Sequence, residues 1–357
     1  MIGRVIDWKL VARIAGSISG EQPGVSYSAK DVGALARDAA QRIADYTSLA
    51  PAAPLPAPEL VSRRGWIDAN VATMRPMFAA LEERLPTGAF DAGPIGRAAR
   101  ATSSAVLSTQ LGALVGYLSQ RVLGQYDIPL LDPAGAPRLL LVVPNLVATA
   151  EALEADRDDL LRWVTLHEVT HAVQFGGVSW LRPLLSRSIG ELLDALELRL
   201  HKPPPLRMPT PKEVQSLIES VRKGELAMFA VGRDARPLVE RLQATMAVVE
   251  GHAEHVMDAV GEQIVPSLTQ LRDGLERRRT ARSTPLRLLE RIIGIELKLR
   301  QYRDGKRFCD AVVAHGGIAA LDRVWSAESA LPSREELADP ASWLARTAAA
   351  TAVSRTN

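Results

Sequence analysis

Residues 167–171 read His-Glu-Val-Thr-His, and no other stretch restricts the fold of this chain as tightly. Two histidines four apart on a helix project from the same face, and there they can grip one Zn²⁺ together. Glu168 between them can then take the proton of a water held by that metal. The flanks agree with a helix. Leu161, Trp163, Val164, Leu166, Val169, Ala172, Val173 and Phe175 place apolar groups almost all round the wheel, the pattern of a buried helix. Asp156, Asp158 and Asp159 supply an N-cap and an acidic first turn, and Gly176-Gly177 supplies the stop. The spacing predicts a central buried helix with the motif in its C-terminal half.

Composition narrows the partners. With 357 residues, 47% of them hydrophobic, the chain can bury a large core. A net charge of +2 points to no electrostatic partner. Only seven of the 43 basic residues are Lys, but the arginines are spread and interleaved with acids, which argues against a nucleic-acid footprint. Aromatics at 4% argue the same way. The lone Cys309 excludes an intramolecular disulfide and reads as a small buried hydrophobe. No run approaches the ~18 apolar residues of a spanning helix, and the N-terminus lacks an apolar leader. The expectation is a cytoplasmic protein with no membrane and no nucleic acid among its partners; its oligomeric state is left open.

Along the chain, periodicity and caps predict helices over residues 7–17, 28–46, 65–85 and 98–124, the last carrying Gly112 and Gly116 for close helix packing. Four prolines in residues 50–58 mark a stiff connector. Residues 138–145 form the best strand candidate, and Pro144 predicts an edge strand, suited to pairing with an extended peptide. Further helices are expected over 179–200, 212–231, 236–260, 285–303, 306–314 and 318–326, with Gly305 as an exit. Ser333 and Glu336 spell a capping box. Helix far outweighs strand, so the expected fold is mainly α with a small sheet. It divides into a helical region over 1–135, a metal-binding core with C-terminal helices over 136–350, and a tail over 351–357. The first two are expected to form one continuous unit.

A metal held by two histidines needs a third protein ligand and an open position for chemistry. Gln174 and Gly177 stand where a metzincin would carry Gly and His, which excludes that class. The segment Glu250-Gly251-His252-Ala253-Glu254-His255-Val256-Met257-Asp258 offers several alternatives. At about 100° per residue, Glu250 lies roughly 75° from the apolar face, His252 about 85° on the other side and Glu254 about 115°. His255 points nearly opposite. Glu250 is therefore favoured, and Gly251 lets another backbone approach. Glu254 and Asp258 follow on the same side as acceptors for the N–H of a ligating histidine. His255 and Asp258 otherwise read as a solvated face, and His201 and His315 as ordinary surface or loop histidines.

These residues are similar to gluzincins, zincin-fold metallopeptidases with a distant glutamate as third ligand. More closely, the chain resembles bacterial zincin-like proteins described as hydrolases or as associated with deazaflavin coenzyme biosynthesis. The shared wording is Leu166-His167-Glu168-x-Thr170-His171-Ala172-Val173-Gln174-Phe175, Glu250-Gly251-His252-Ala253-Glu254 and Lys298-Leu299-Arg300-Gln301-Tyr302. The resemblance implies a helical zincin-like core with His167, His171 and Glu250 as Zn²⁺ ligands and Glu168 as base. The chain departs from the short-spaced gluzincins, because 78 residues separate His171 from Glu250.

The expected function is a zinc-dependent peptidase or amidase acting on a peptide or protein substrate. A catalytically silent, zinc-stabilised binding or scaffold protein is the alternative. Intact Glu168 speaks against it, since chemistry needs that residue and ligation does not. For a donor to the oxyanion, Tyr302 and Arg300 are the candidates and Tyr126, in an expected loop, the runner-up.

Overall fold

The computed structural model describes residues 6–20, 27–84, 93–132, 134–201, 235–280 and 295–354. Packing divides the chain into two compact units, Met1–Asp38 with Pro56–Val169 and Ala39–Leu55 with Thr170–Asn357. Two helices run through the divisions: α2 (Ala29–Thr47) and α6 (Arg157–Gly177).

In the first unit, α1 (Trp8–Ile18) starts at Asp7, whose Oδ1 accepts from the N–H groups of Lys9 and Leu10 at 2.9 and 3.1 Å. Two orphan donors of the first turn are thereby satisfied. α1 lies against α4 (Gly93–Ser119) at the two glycines that the sequence singles out. A Cβ at Gly112 or at Gly116 would stand 2.8 Å from the Cβ of Ile14 or Ile18 respectively. α3 (Arg63–Arg84) closes this core with Trp66 and Ile67, beside Trp8, Val11, Ala15 and Val115.

The sheet has three strands, β1 (Pro58–Val61), β2 (Gly124–Asp127) and β3 (Arg138–Val142), in the order β1-β3-β2. β1 pairs parallel to β3, Pro58 opposite Leu139, and β2 pairs antiparallel, Gly124 opposite Leu141. The expected edge strand is therefore the central one, and its suggested use for pairing with a peptide falls with it. Pro144 misled because it sits in the first turn of α5 (Val143–Leu153), where a missing N–H costs nothing. Leu139 to Val142 are fully buried, as a run flanked by two strands must be. Asn145 pins the strand-to-helix corner. Its amide donates to the carbonyls of Ser119 and Val122, both at 2.7 Å, and its oxygen accepts from Arg63 at 2.8 Å.

α6 begins where the aspartates predict. Asp156 Oδ1 accepts from the N–H groups of Asp158 and Asp159, each at 2.9 Å. Leu160, Leu161, Val164, Leu166, Val169, Ala172 and Val173 are buried on every side of the helix. It ends at Gly177, where the connector docks, the Ala52 N–H donating to the Gly176 carbonyl at 3.0 Å.

The second unit continues through α7 (Leu181–His201), α8 (Arg236–Gly261), α9 (Leu268–Thr280), α10 (Ile295–Gly316), α11 (Ile318–Asp322), two short 3-10 turns, α12 (Arg334–Ala338) and α13 (Pro340–Ser354). The expected helix over 212–231, and residues 285–294 of the next, lie outside the described residues. The capping box is present, Ser333 bonding the Glu336 N–H while Glu336 accepts from the Ser333 N–H. One expectation fails: Gly305 does not end a helix but lies inside α10. Its role is contact. A Cβ on Gly305 would collide with the carbonyl of Ala247, and one on Gly251 with the backbone of Gly305, so α8 and α10 meet main chain to main chain. Glycine costs helix propensity at both places, and this contact explains why it stands there. Val248, Val249, Phe308, Cys309, Val312, Leu321, Val324, Trp325 and Trp343 form the core around that crossing.

Gly305→Ala is expected to lower the stability of the fold by about 3 kcal/mol, since backbone cannot move aside as a side chain can. Gly190→Ala on α7, where nothing lies within 4 Å of the added methyl, should be neutral or slightly stabilising. Denaturant unfolding of the two variants checks the contrast, and equal midpoints would refute it.

Candidate metal centre

The division between the two units falls between Val169 and Thr170, inside α6, which passes through it unbroken. His167 and His171 thus stand one turn apart on a single continuous helix. In the second unit, His171 Nε2 lies 3.5 Å from Glu250 Oε2 of α8. With His167, each of the three residues offers one ligand atom, and these atoms all lie within 4.8 Å of one another. Donors about 2.0–2.1 Å from a tetrahedral zinc stand roughly 3.3 Å apart, whereas a charge-assisted hydrogen bond measures about 2.8 Å. The 3.5 Å separation suits two donors sharing an ion better than two donors sharing a proton. Two imidazoles and one carboxylate are also the donor set that zinc takes in catalytic sites.

Each member is fixed by its helix. α6 is apolar all round, so most of its polar motif residues are buried with it: Glu168 is 7% exposed and His171 9%, while His167 is half-buried. Glu168 is held within the first unit. Its Oε2 accepts the backbone N–H of Tyr126 on β2 at 2.7 Å, and Gly124, two residues earlier, leaves the room: a Cβ there would lie 2.7 Å from Glu168 Cγ. His167 stacks on Trp163, one turn back, with ring centroids 6.3 Å apart. His171 Nδ1 bonds Gln174 Oε1 at 2.9 Å.

The sequence-predicted residues divide as follows. His167, His171 and Glu250 come together, and Glu168 lies on the same stretch of α6. Tyr126 is on strand β2 rather than in a loop, and it meets Glu168 through its backbone N–H. Tyr302 and Arg300 fall on α10, but their side chains, like that of His201, lie outside the described residues. His315 is exposed in the last turn of α10. Cys309 is fully buried, and that burial raises its thiol pKa well above the ordinary range.

Two readings of α8 are corrected. His255 is not on a solvated face: it is buried, its Nδ1–H donating to Asp310 at 2.8 Å and its Nε2 hydrogen-bonded with the Tyr46 hydroxyl at 2.9 Å. The wheel fails here because α10 and the end of α2 cover a second side of α8, leaving it buried on two faces. Asp258 does not serve a histidine, because Lys306 at 2.9 Å and Arg272 both pair with it. The acceptor on His171 is instead Gln174, three residues on in α6, a spacing visible in the sequence. His252 is fully buried. Desolvation, with His255 and His171 nearby, pushes its pKa down to about 3, so it is neutral.

A titrating group lies beside the Tyr46–His255–Asp310 array. Burial pushes Asp322, at the end of α11, up to about 6 from 3.8, and its Oδ1 is buried without a hydrogen-bond partner. Burial and then the charges of Asp322 and Asp310 raise Tyr46. Burial also opposes ionisation of Asp310, but Lys306 and His255 outweigh it and hold its pKa low. At Asp322 the folded state binds the proton more tightly than the unfolded chain does. The stability this contributes is present at low pH and is lost as pH rises from about 4 through about 6. Asp322→Asn should therefore unfold at higher temperature than wild type at pH 8 and show little advantage at pH 4. Thermal unfolding at both values checks this, and an equal gain at both would contradict it.

A helical fold with a small sheet, built around a buried HExxH helix with a glutamate facing it, defines a class, the zincin-like metalloproteins. The family model of the zincin-like metallopeptidases matches residues 6–344, and the chain belongs to that family. A crystal structure from Chloroflexus aurantiacus, described as a candidate hydrolase with a novel fold, is similar over 96% of this chain and 98% of its own, with 28% identity and a TM-score of 0.65. No curated protein matches the chain.

Proposed function

We propose that the protein is a zinc-dependent hydrolase of peptide or amide bonds, with His167, His171 and Glu250 as metal ligands and Glu168 as general base. The observation that carries this reading is the convergence of the three donors on the helix that also presents Glu168. Zn²⁺ held by these side chains supplies the Lewis acid that acidifies a water and polarises the carbonyl under attack.

The residues do the rest. Glu168 accepts the proton of the attacking water and returns it to the leaving amine. Tyr126 N–H holds one carboxylate oxygen and so sets the direction in which the other points. Burial of the motif keeps competing water away and strengthens each of these interactions. Tyr302 and Arg300 are the donors assigned to the developing oxyanion. A peptide or protein substrate and a cytoplasmic location belong to the same reading. Among the described residues no helix is long and apolar enough to cross a membrane.

Two substitutions test the assignment. Glu168→Gln should keep the zinc content and remove hydrolysis of a peptide library, since an amide of the same shape cannot take the proton. Hydrolysis at near wild-type rate would defeat the proposed base. Glu250→Ala should lose zinc far more readily than Glu254→Ala, whose loss of affinity should not exceed about 100-fold. Metal analysis after dialysis against a chelator reads both, and zinc retained by Glu250→Ala but lost by Glu254→Ala would move the third ligand one turn along α8.

A further inference from the structure

We propose that Gln174 is a positioning residue of the metal centre, one that fixes the tautomer of His171 and spaces it from Glu250. The inference rests on the reading of the centre given above, and three hydrogen bonds carry it. Gln174 is fully buried, so its carboxamide must find partners inside the protein. Its Nε2 lies 2.9 Å from the backbone oxygen of Val249 and 2.9 Å from His252 Nδ1, and its Oε1 lies 2.9 Å from His171 Nδ1.

One of these partners removes the ambiguity in the others. A backbone carbonyl only accepts, so the group facing Val249 has to be the NH₂ and the oxygen has to face His171. His171 Nδ1 must then carry the hydrogen, which leaves the lone pair on Nε2, the nitrogen 3.5 Å from Glu250 Oε2. The second N–H of the carboxamide requires an acceptor at His252 Nδ1, so His252 carries its hydrogen on Nε2. That nitrogen is buried without a hydrogen-bond partner, and the His252 ring meets the Trp325 ring edge to face at 5.2 Å and 83°. An N–H directed at the ring's π-face gives the arrangement a weak but consistent end.

The same three bonds set a distance. Gln174 and His171 belong to α6, while Val249 is the residue before Glu250 on α8. The carboxamide therefore braces one proposed ligand against the backbone that carries another. A carboxylate here would bond His171 equally well but would repel the Val249 carbonyl. An apolar residue would leave His171 free to present either nitrogen. Gln is the side chain that both accepts from the ligand and donates to the facing helix.

The test begins with the metal-free wild-type protein. Long-range ¹H–¹⁵N correlation of its imidazoles should show His171 as the Nδ1–H tautomer and His252 as the Nε2–H tautomer. The opposite tautomer at His171 would overturn the proposal without any variant being made. Gln174→Met and Gln174→Glu then extend the test, with folding followed by circular dichroism and zinc affinity by competition with a chromophoric chelator. Gln174→Met should mix the His171 tautomers and weaken zinc binding by about 10–100-fold. Gln174→Glu should restore the Nδ1–H tautomer and most of the affinity, although it unfolds at a lower temperature. A purely structural role predicts instead that the two variants lose affinity in proportion to their loss of stability. If Gln174→Met binds zinc as tightly as wild type, the positioning role is wrong while the metal centre stands. If wild type shows the expected tautomers yet takes no zinc, the assignment of the centre as a metal site is what fails.

Discussion

A buried carboxylate, imidazole or carboxamide has to find a partner within the protein, and the architecture around α6 follows from that requirement for Glu168, His171 and Gln174. Glu168, Thr170, His171 and Gln174 are all buried within two turns of one another. A buried carboxylate or imidazole without a partner would cost several kcal/mol, a large share of a domain's net stability. The Tyr126 N–H answers Glu168 from the sheet, Gln174 answers His171 within α6, and the Val249 carbonyl and His252 answer Gln174 from α8. Within the first unit strand β2 is held to α6 in this sense, within the second unit helix α8 is held to the last turns of α6, and the apolar packing of each unit fills in around those bonds.

The second constraint is the crossing of α8 and α10. Gly251 sits beside Glu250 in sequence, and its contact with Gly305 leaves α8 no freedom to rotate or slide. Glu250 is directed by that crossing as much as by its own helix. The order of causes runs from two glycines, through a main-chain contact, to the direction of one carboxylate.

How much of this was legible beforehand depended on whether the signal was local. The caps and stop of α6, the pair Gly112 and Gly116, the capping box at Ser333 and the choice of Glu250 as the residue facing the histidines all rest on spacings within a helix, and the sequence carries them directly. The misreadings concern what comes to lie alongside an element. Pro144 looked like the mark of an edge because nothing in the sequence showed that β1, 81 residues earlier, would pair with β3, Val61 opposite Val142. Gly305 looked like a stop because a glycine that ends a helix and one that admits a second helix are spelled alike. His255 looked solvated because a wheel ranks faces by their own side chains and cannot include Tyr46 or Asp310. Gln174 was legible as a neighbour of His171, but its bonds to α8 were not.

Trp343 of α13 is fully buried in the core that also holds Val248 and Val249, so the wall behind Glu250 is completed by a helix near the end of the described chain. This sets an order of events during synthesis. The two histidines emerge from the ribosome after the strand that holds Glu168 but before any helix of the second unit that follows α6. The glutamate follows 79 residues after His171, and the side chain that closes the core behind α8 comes later still. A chain still being made can offer a metal ion two imidazoles but not a rigid third donor. Under the proposed metal reading, secure loading belongs to the finished protein, and an ion that reaches the growing chain early meets a site still open to exchange.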